Sequence, residues 1–179
     1  MPTPPDLAQR AERLEWLLLD VDGVLTDGTL YIDGKSEIFK AFNVKDGLGI
    51  KVARQVGLKI GILSARRSSA LERRASQLGI DVLMFGREDK TETFDRFLEQ
   101  QATSPGRVAY IGDDLNDLAV LARSGLSYAP ADAVAEVRAV VHVVLSAPGG
   151  RGAVREMIEH LLEARGDWKA VLSSYSLEP

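Results

Sequence analysis

The chain has 179 residues, enough for one domain, and its 45% apolar and 27% charged residues exclude a disordered protein. The 22 lysines and arginines against 26 aspartates and glutamates leave a net charge of −4, so no general nucleic-acid binding is expected. Cysteine is absent, which excludes disulfides and thiolate chemistry, and two histidines (His142 and His160) are too few for a histidine-rich metal site.

The beginning of the chain is polar and contains prolines, so it does not resemble a secretory signal. The apolar runs are also too short to span a bilayer. We therefore expect a cytoplasmic protein with no membrane partner. We divide the chain into an N-terminal extension (1–14), a single domain (15–165) with a β-hairpin at about 27–45, and a C-terminal tail (166–179) of undetermined order.

Short apolar runs alternate with longer amphipathic stretches along the domain. Predicted strands cover 16–20, 59–63, 82–85, 108–111, 126–129 and 140–145. Predicted helices cover 46–56, 67–78, 90–101 (capped by Asp89), 115–124, 134–138 and 152–164. Two further short strands, 28–31 and 37–42, flank the hairpin turn at Asp33-Gly34.

Strands that are apolar throughout and separated by helices are typical of a parallel sheet buried on both faces. The fold class that we predict is therefore α/β. It is a Rossmann-like, doubly wound parallel sheet with helices on both faces, a small β-hairpin insert after strand 1 and no large cap domain. Such sheets bind ligands at the carboxyl ends of their strands.

Polar side chains follow four of the predicted strands in turn. Asp20 and Asp22 follow the first, Ser64 the second, Lys90 the third, and the acidic segment 112–117 the fourth. Taken singly, each of these residues could instead have an ordinary structural role, because Asp and Ser often cap helices and a lysine is often solvated at the surface. Together they would gather at one edge of the sheet.

The three carboxylates of Asp20, Asp22 and Asp113 would repel one another there without a cation. Oxygen-ligated Mg²⁺ is the natural counter-ion. A phosphoryl group can then bridge the metal, Lys90 and Ser64, and an aspartate can act as a nucleophile that forms an acyl phosphate.

The segments DVDGVLT (20–26), Ser64, Lys90 and GDDLND (112–117) resemble the four motifs of the haloacid-dehalogenase-like phosphotransferases. KAFNVKDGLGIK (40–51) and GGRGAVRE (149–156) resemble, more narrowly, the 3-deoxy-D-manno-octulosonate 8-phosphate (KDO 8-phosphate) phosphatases. The resemblance implies that Asp20 is the nucleophile and Asp22 the general acid/base. It also implies that Mg²⁺ is held by Asp20, by Asp113 and by the backbone carbonyl of Asp22. Ser64 and Lys90 would bind the phosphoryl group, with Asp114 and Asp117 as supporting residues.

The resemblance also implies a sugar acid phosphate as substrate. Its contacts would be Asn43, Asp46, Gly47, Lys51, Arg66, Arg74, Lys90 and Arg151. Position 51 is lysine where the family pattern has arginine, which removes a bidentate carboxylate contact. A related branch that acts on nine-carbon 2-keto sugar acid 9-phosphates shares most of these motifs, so eight- and nine-carbon substrates both stay open.

The short inserts leave no segment that could close over the site, and the similar phosphatases are homotetramers whose neighbouring subunits complete the enclosure. We therefore expect self-association, consistent with the apolar hairpin residues Leu30, Tyr31 and Ile32.

Two alternatives to a phosphatase belong to other classes of protein. A response-regulator receiver would need a phosphorylated aspartate after the third strand, where this chain has Phe85-Gly86, and a non-catalytic binding module would not need all four motifs.

Overall fold

The computed structural model of the protein describes residues 6–33, 37–86 and 90–175, with backbone alone at 37 and 38. The predicted turn residue Gly34 and the predicted cap Asp89 lie outside the described residues. The strands are β1 (Trp16–Leu19), β2 (Tyr31–Ile32), β3 (Glu37–Phe39), β4 (Lys59–Ser64), β5 (Val82–Phe85), β6 (Val108–Ile111), β7 (Leu126–Ala129) and β8 (Val143–Val144). The helices are α1 (Leu7–Glu12), α2 (Val44–Gln55), α3 (Ser69–Leu78), α4 (Thr91–Gln100), α5 (Leu118–Arg123), α6 (Ala135–Val140), α7 (Ala153–Arg165) and α8 (Trp168–Tyr175).

Six parallel strands form the main sheet in the order β5-β4-β1-β6-β7-β8. β1 therefore lies between β4 and β6, with Leu18 opposite Gly61 on one side and Tyr110 on the other. The chain segments that follow these three strands all emerge at the same edge of the sheet. This order brings Asp20, Ser64 and Asp113 to neighbouring positions.

Side chains of β1 alternate between two hydrophobic layers, as the two-residue period of a strand requires. Leu17 and Leu19 pack into the layer built with α1, α2, α3, α7 and α8. Trp16 and Leu18 pack into the opposite layer, built with α4, α5 and α6. The predicted doubly wound sheet with helices on both faces is confirmed.

Local capping moves several predicted helix boundaries. α2 begins at 44 rather than 46 because the Asn43 side chain accepts a hydrogen bond from the Lys45 backbone N–H at 2.8 Å. α3 begins at 69 rather than 67 because Ser68 caps it. The predicted helix 115–124 begins as a 3₁₀ turn (Leu115–Asp117) before α5.

The sequence leaves the order of the C-terminal tail (166–179) open. In the structure, Trp168–Tyr175 form helix α8. Val171 of this helix is buried, and the Trp168 ring lies 5.6 Å from the guanidinium of Arg155. The sixth strand was predicted over 140–145. Because α6 continues to Val140, strand β8 has only two residues.

The hairpin inserted between β1 and α2 is shorter than predicted, with antiparallel strands β2 and β3. The rings of Tyr31 and Phe39 stack with centroids 4.3 Å apart. Tyr31, Ile32 and Phe39 are exposed, whereas Leu30, expected on the surface, is half-buried. No large cap domain interrupts the described part of the chain, and none of its helices is long and apolar enough to cross a membrane.

Candidate active site

Asp20 lies immediately after the central strand β1 and is 6% exposed. Its backbone N–H donates to the Ile111 carbonyl at 3.1 Å, which continues the sheet ladder and fixes the start of the loop. The loop then turns at Gly23, whose φ of +84° favours glycine. A Cβ at Gly23 would lie 1.9 Å from Oδ2 of Asp113, so the loop passes directly against that carboxylate.

Lys90 is fully buried, and its ammonium joins two acidic residues that follow different strands, Asp20 after β1 and Asp117 after β6. Nζ lies 2.7 Å from Oδ1 of Asp20, 2.6 Å from Oδ1 of Asp117, and 3.3 Å from the Tyr110 hydroxyl. Burial alone disfavours the charged form, but Asp20 and Asp117 outweigh it and raise the pKa of Lys90 above its ordinary value. The alternative considered for Lys90 from the sequence, a solvated surface lysine, is therefore excluded.

Asp117 is a supporting residue whose two carboxylate oxygens are both occupied. Oδ1 accepts from Lys90 and from the Tyr110 hydroxyl. Oδ2 accepts from the backbone N–H groups of Asp113 at 3.0 Å and Asp114 at 3.3 Å. The Asp114 side chain in turn accepts from the Leu115 backbone N–H, so the helix-capping role falls to Asp114 rather than Asp113.

The carboxylates at this edge form an arrangement suited to a divalent cation. Asp20, Asp113 and Asp117 each place an oxygen within 4.8 Å of the others. Burial, reinforced by neighbouring carboxylates, raises the pKa of Asp20 to about 7 and that of Asp113 to about 8. Because Asp117 is occupied by its hydrogen bonds, Asp20 and Asp113 are the pair that fits a hard, oxygen-ligated cation.

Asp22 is half-buried and forms an ion pair with the ammonium of Lys40, whose side chain is 3% exposed. Lys40 follows the second hairpin strand, so this contact ties the hairpin insert to the loop after β1. Sequence reasoning did not select Lys40. The available signal was its position at the start of the 40–51 segment, which resembles the KDO 8-phosphate phosphatases.

Ser64 ends β4 and is 1% exposed. Its hydroxyl donates to the Arg66 carbonyl at 3.1 Å and accepts from the Arg66 backbone N–H at 3.3 Å, so it shapes the turn rather than capping α3. The turn borders a cleft of about 250 Å³ at the edge of the sheet. The cleft is lined by Asp20, Asp22, Ala65, Arg66, Asp113, Asp114 and Asn116.

Most of the other predicted substrate contacts lie outside this cleft within one subunit. A cavity of only about 10 Å³, too small for a sugar, is lined in part by Asn43, Asp46, Gly47 and Arg74. Lys51 lines an open groove of about 510 Å³ with Arg54. Arg151 is exposed, with its guanidinium 3.8 Å from the Asp27 carboxylate.

Asp46 has a structural partner that the sequence did not reveal. It is 1% exposed, and its Oδ1 accepts from the Arg155 backbone N–H at 2.8 Å, in the first turn of α7. Burial raises the pKa of Asp46, while backbone N–H donors at the start of α7 oppose that shift. The carboxylate therefore links α2 to α7.

Both histidines make structural contacts. Nδ1 of His142 lies 2.7 Å from the buried Ser127 hydroxyl, and Nδ1 of His160 lies 3.2 Å from the Tyr128 hydroxyl. Neither residue lines the cleft. The expectation that they have packing roles agrees with this placement.

A buried lysine–aspartate pair thus lies beside a second carboxylate at the carboxyl edge of the parallel sheet. Residues 82–157 match the family model for haloacid dehalogenase-like hydrolases. The KDO 8-phosphate phosphatase KdsC of Haemophilus influenzae is 43% identical over 161 residues, 89% of each chain. KdsC of Escherichia coli K12 is 42% identical over 165 residues, 92% of this chain and 88% of that one.

Two solved structures of KDO 8-phosphate phosphatases are also similar to this chain. The KDO 8-phosphate phosphatase of Moraxella catarrhalis, in complex with magnesium, phosphate and KDO, has a TM-score of 0.92 at 32% identity and covers 97% of this chain and 99% of its own. The cobalt-bound enzyme of H. influenzae has a TM-score of 0.87 at 41% identity, covering 90% and 95%. The chain therefore belongs to the KDO 8-phosphate phosphatase family and is a phosphatase.

Proposed function

We propose that this phosphatase hydrolyses KDO 8-phosphate to KDO and phosphate with Mg²⁺, through an aspartyl-phosphate intermediate on Asp20. The observation that carries the proposal is the position of Asp20, held by buried Lys90 and facing Asp113 at the floor of the cleft. The relatives named as KDO 8-phosphate phosphatases support the choice of substrate.

In the first half-reaction, a carboxylate oxygen of Asp20 attacks phosphorus and the bond to the sugar oxygen breaks. That oxygen takes a proton from Asp22, so KDO leaves as an alcohol. In the second, water attacks the aspartyl phosphate and returns a proton to Asp22. Phosphate is released and the Asp20 carboxylate is restored.

Lys90 and Ser64 would offset the negative charge of the phosphoryl group during both transfers, which is chiefly an electrostatic task. Asp20, Asp113 and the backbone carbonyl of Asp22 would hold Mg²⁺. When bound, the ion supplies Lewis-acid stabilisation of the phosphoryl oxygens. Asp114 and Asp117 would support this arrangement through the hydrogen bonds described above.

The cleft of one subunit is open, and several proposed sugar contacts lie away from it. We propose that a homotetramer completes the site in the cytoplasm, with the exposed apolar hairpin residues at subunit contacts. Asn43, Asp46, Gly47, Lys51, Arg66, Arg74 and Arg151 stay proposed substrate-binding residues. Nine-carbon 2-keto sugar acid 9-phosphates stay the second candidate substrate, because the branch that acts on them shares most of these motifs.

A phosphate-release screen separates these candidates. With Mg²⁺ present, we expect kcat/KM for KDO 8-phosphate to exceed that for nonulosonate 9-phosphates and for glucose 6-phosphate by about tenfold or more, since each lost polar contact costs about 1–3 kcal/mol. A preference for the nine-carbon substrate would reassign the enzyme. Equal rates on all three would contradict a dedicated sugar acid phosphatase.

Replacing the buried lysine tests the centre of the site. Lys90→Met removes the cation that joins two buried carboxylates, so we expect a loss in kcat of about 10²–10³-fold. The unfolding free energy should also fall by about 3 kcal/mol, because Asp117 stays buried with its charge uncompensated. Steady-state kinetics and urea denaturation measure the two effects.

Lys59→Met is the matched control, because Lys59 is exposed at the start of β4, the opposite edge of the sheet. Its Nζ lies over the Trp16 ring, 5.2 Å from the centroid, and a methionine side chain can still pack on that ring. We expect kinetics like those of the wild type. Wild-type kcat in Lys90→Met would contradict the role of Lys90.

A further inference from the structure

The loop of residues 149–152, here called the glycine loop, connects the last strand region to α7 and packs against the loop of residues 20–27, here called the catalytic loop. The Gly150 backbone N–H donates to the Val24 carbonyl at 2.9 Å. The Gly149 backbone N–H donates to Oδ1 of Asp132 at 2.9 Å, and the Asn43 side-chain amide donates to the Gly150 carbonyl at 3.4 Å. The glycine loop is therefore anchored on several sides.

The packing between the two loops leaves no room for a side chain. A Cβ at Gly149 would lie 1.8 Å from the Gly23 carbonyl oxygen. A Cβ at Gly150 would lie 2.4 Å from the Asp27 nitrogen, and the φ of Gly150 is +65°. Both obstacles are backbone atoms, which cannot rotate away as the end of a side chain can.

Gly23 is also packed closely against Asp113, since a Cβ on Gly23 would overlap the Asp113 carboxylate. Gly149 therefore lies against Gly23, and Gly23 lies against Asp113. A side chain at position 149 could keep its place only if the Gly23 backbone moved, and that backbone borders the Asp113 carboxylate, which has an oxygen within 4.8 Å of one of Asp20.

We infer that the glycine loop is a positioning element for the cation site. Gly149 sets how closely the catalytic loop approaches Asp113, and thereby the separation between Asp113 and Asp20. Outer groups that orient metal ligands commonly change metal affinity by about 10–100-fold when they are replaced. The inference rests on the proposed Mg²⁺-dependent function and deepens it.

The ordinary alternative is that the two glycines only allow a turn before α7. In that case, replacing Gly149 would alter folding stability but leave the Mg²⁺ affinity of the folded molecules unchanged. Calorimetric titration with Mg²⁺ alone separates the two roles. A reduced folded fraction lowers the binding stoichiometry, whereas a displaced site raises the dissociation constant.

The experiment compares wild type, Gly149→Ala and Gly106→Ala as full chains. We expect Gly149→Ala to raise the Mg²⁺ dissociation constant about tenfold or more and to recover part of its lost activity as Mg²⁺ is increased. Gly106→Ala is the matched control, since nothing lies within 4 Å of a Cβ placed there. It should bind Mg²⁺ as the wild type does.

A second variant covers the case in which Gly149→Ala does not fold. Asp132→Ala removes the exposed acceptor of the Gly149 N–H and should weaken Mg²⁺ binding about threefold, as the loss of one hydrogen bond predicts. Unchanged Mg²⁺ affinity in the folded variants would overturn the inference alone. A wild type that binds no Mg²⁺ would overturn the proposed function and the inference with it.

Discussion

Asp20→Asn is expected to reduce phosphate release by about 10⁴-fold or more, because the amide is a poor nucleophile at phosphorus. Asparagine has nearly the same shape, so the central strand and the cleft should be retained. In the variant Lys90 keeps its ion pair with Asp117, at 2.6 Å, so no buried charge is left without a partner. The variant should therefore unfold close to the wild-type temperature.

Two measurements check this expectation. Mass spectrometry of acid-quenched wild type should find phosphate on the peptide that contains Asp20, and the variant should show none. Asp95→Asn makes the same chemical change on α4, where the side chain is 49% exposed, and should keep full activity. Turnover by Asp20→Asn within tenfold of the wild type would remove Asp20 as the nucleophile.

Removal of the divalent cation is expected to have the second largest effect. Treatment with EDTA should reduce activity below detection, and added Mg²⁺ should restore it, because the ion offsets charge on the phosphoryl oxygens. Mg²⁺ should also raise the unfolding temperature of the wild type, since it relieves the repulsion between Asp20 and Asp113 and binds only the folded state.

The Mg²⁺-dependent rise in unfolding temperature should disappear in Asp113→Asn and persist in Asp95→Asn. The first variant removes a carboxylate at the proposed site, and the second removes one from an exposed ion pair with Arg123. Full activity in metal-free buffer would contradict the cation as a participant. A persistent rise in Asp113→Asn would place the ion elsewhere.

Much of the fold and the centre of the site could be predicted from the sequence by itself. Buried parallel strands are short, apolar and separated by helices, so their number and order along the chain are visible in the pattern of residues. Because parallel strands end at a common edge, Asp20, Ser64, Lys90 and Asp113 could be expected to meet there. The structure places Asp20, Lys90 and Asp113 together at that edge.

The tertiary structure alone decided which of these groups touch. The partners of Lys90 include Asp117, 27 positions away, and Asp46 caps a helix 109 positions later. Lys40 meets Asp22 across 18 positions, and Gly149 lies against Gly23 across 126. Local patterns record burial and turn preference, whereas a contact between distant segments depends on how whole elements pack, and no single stretch of sequence encodes that.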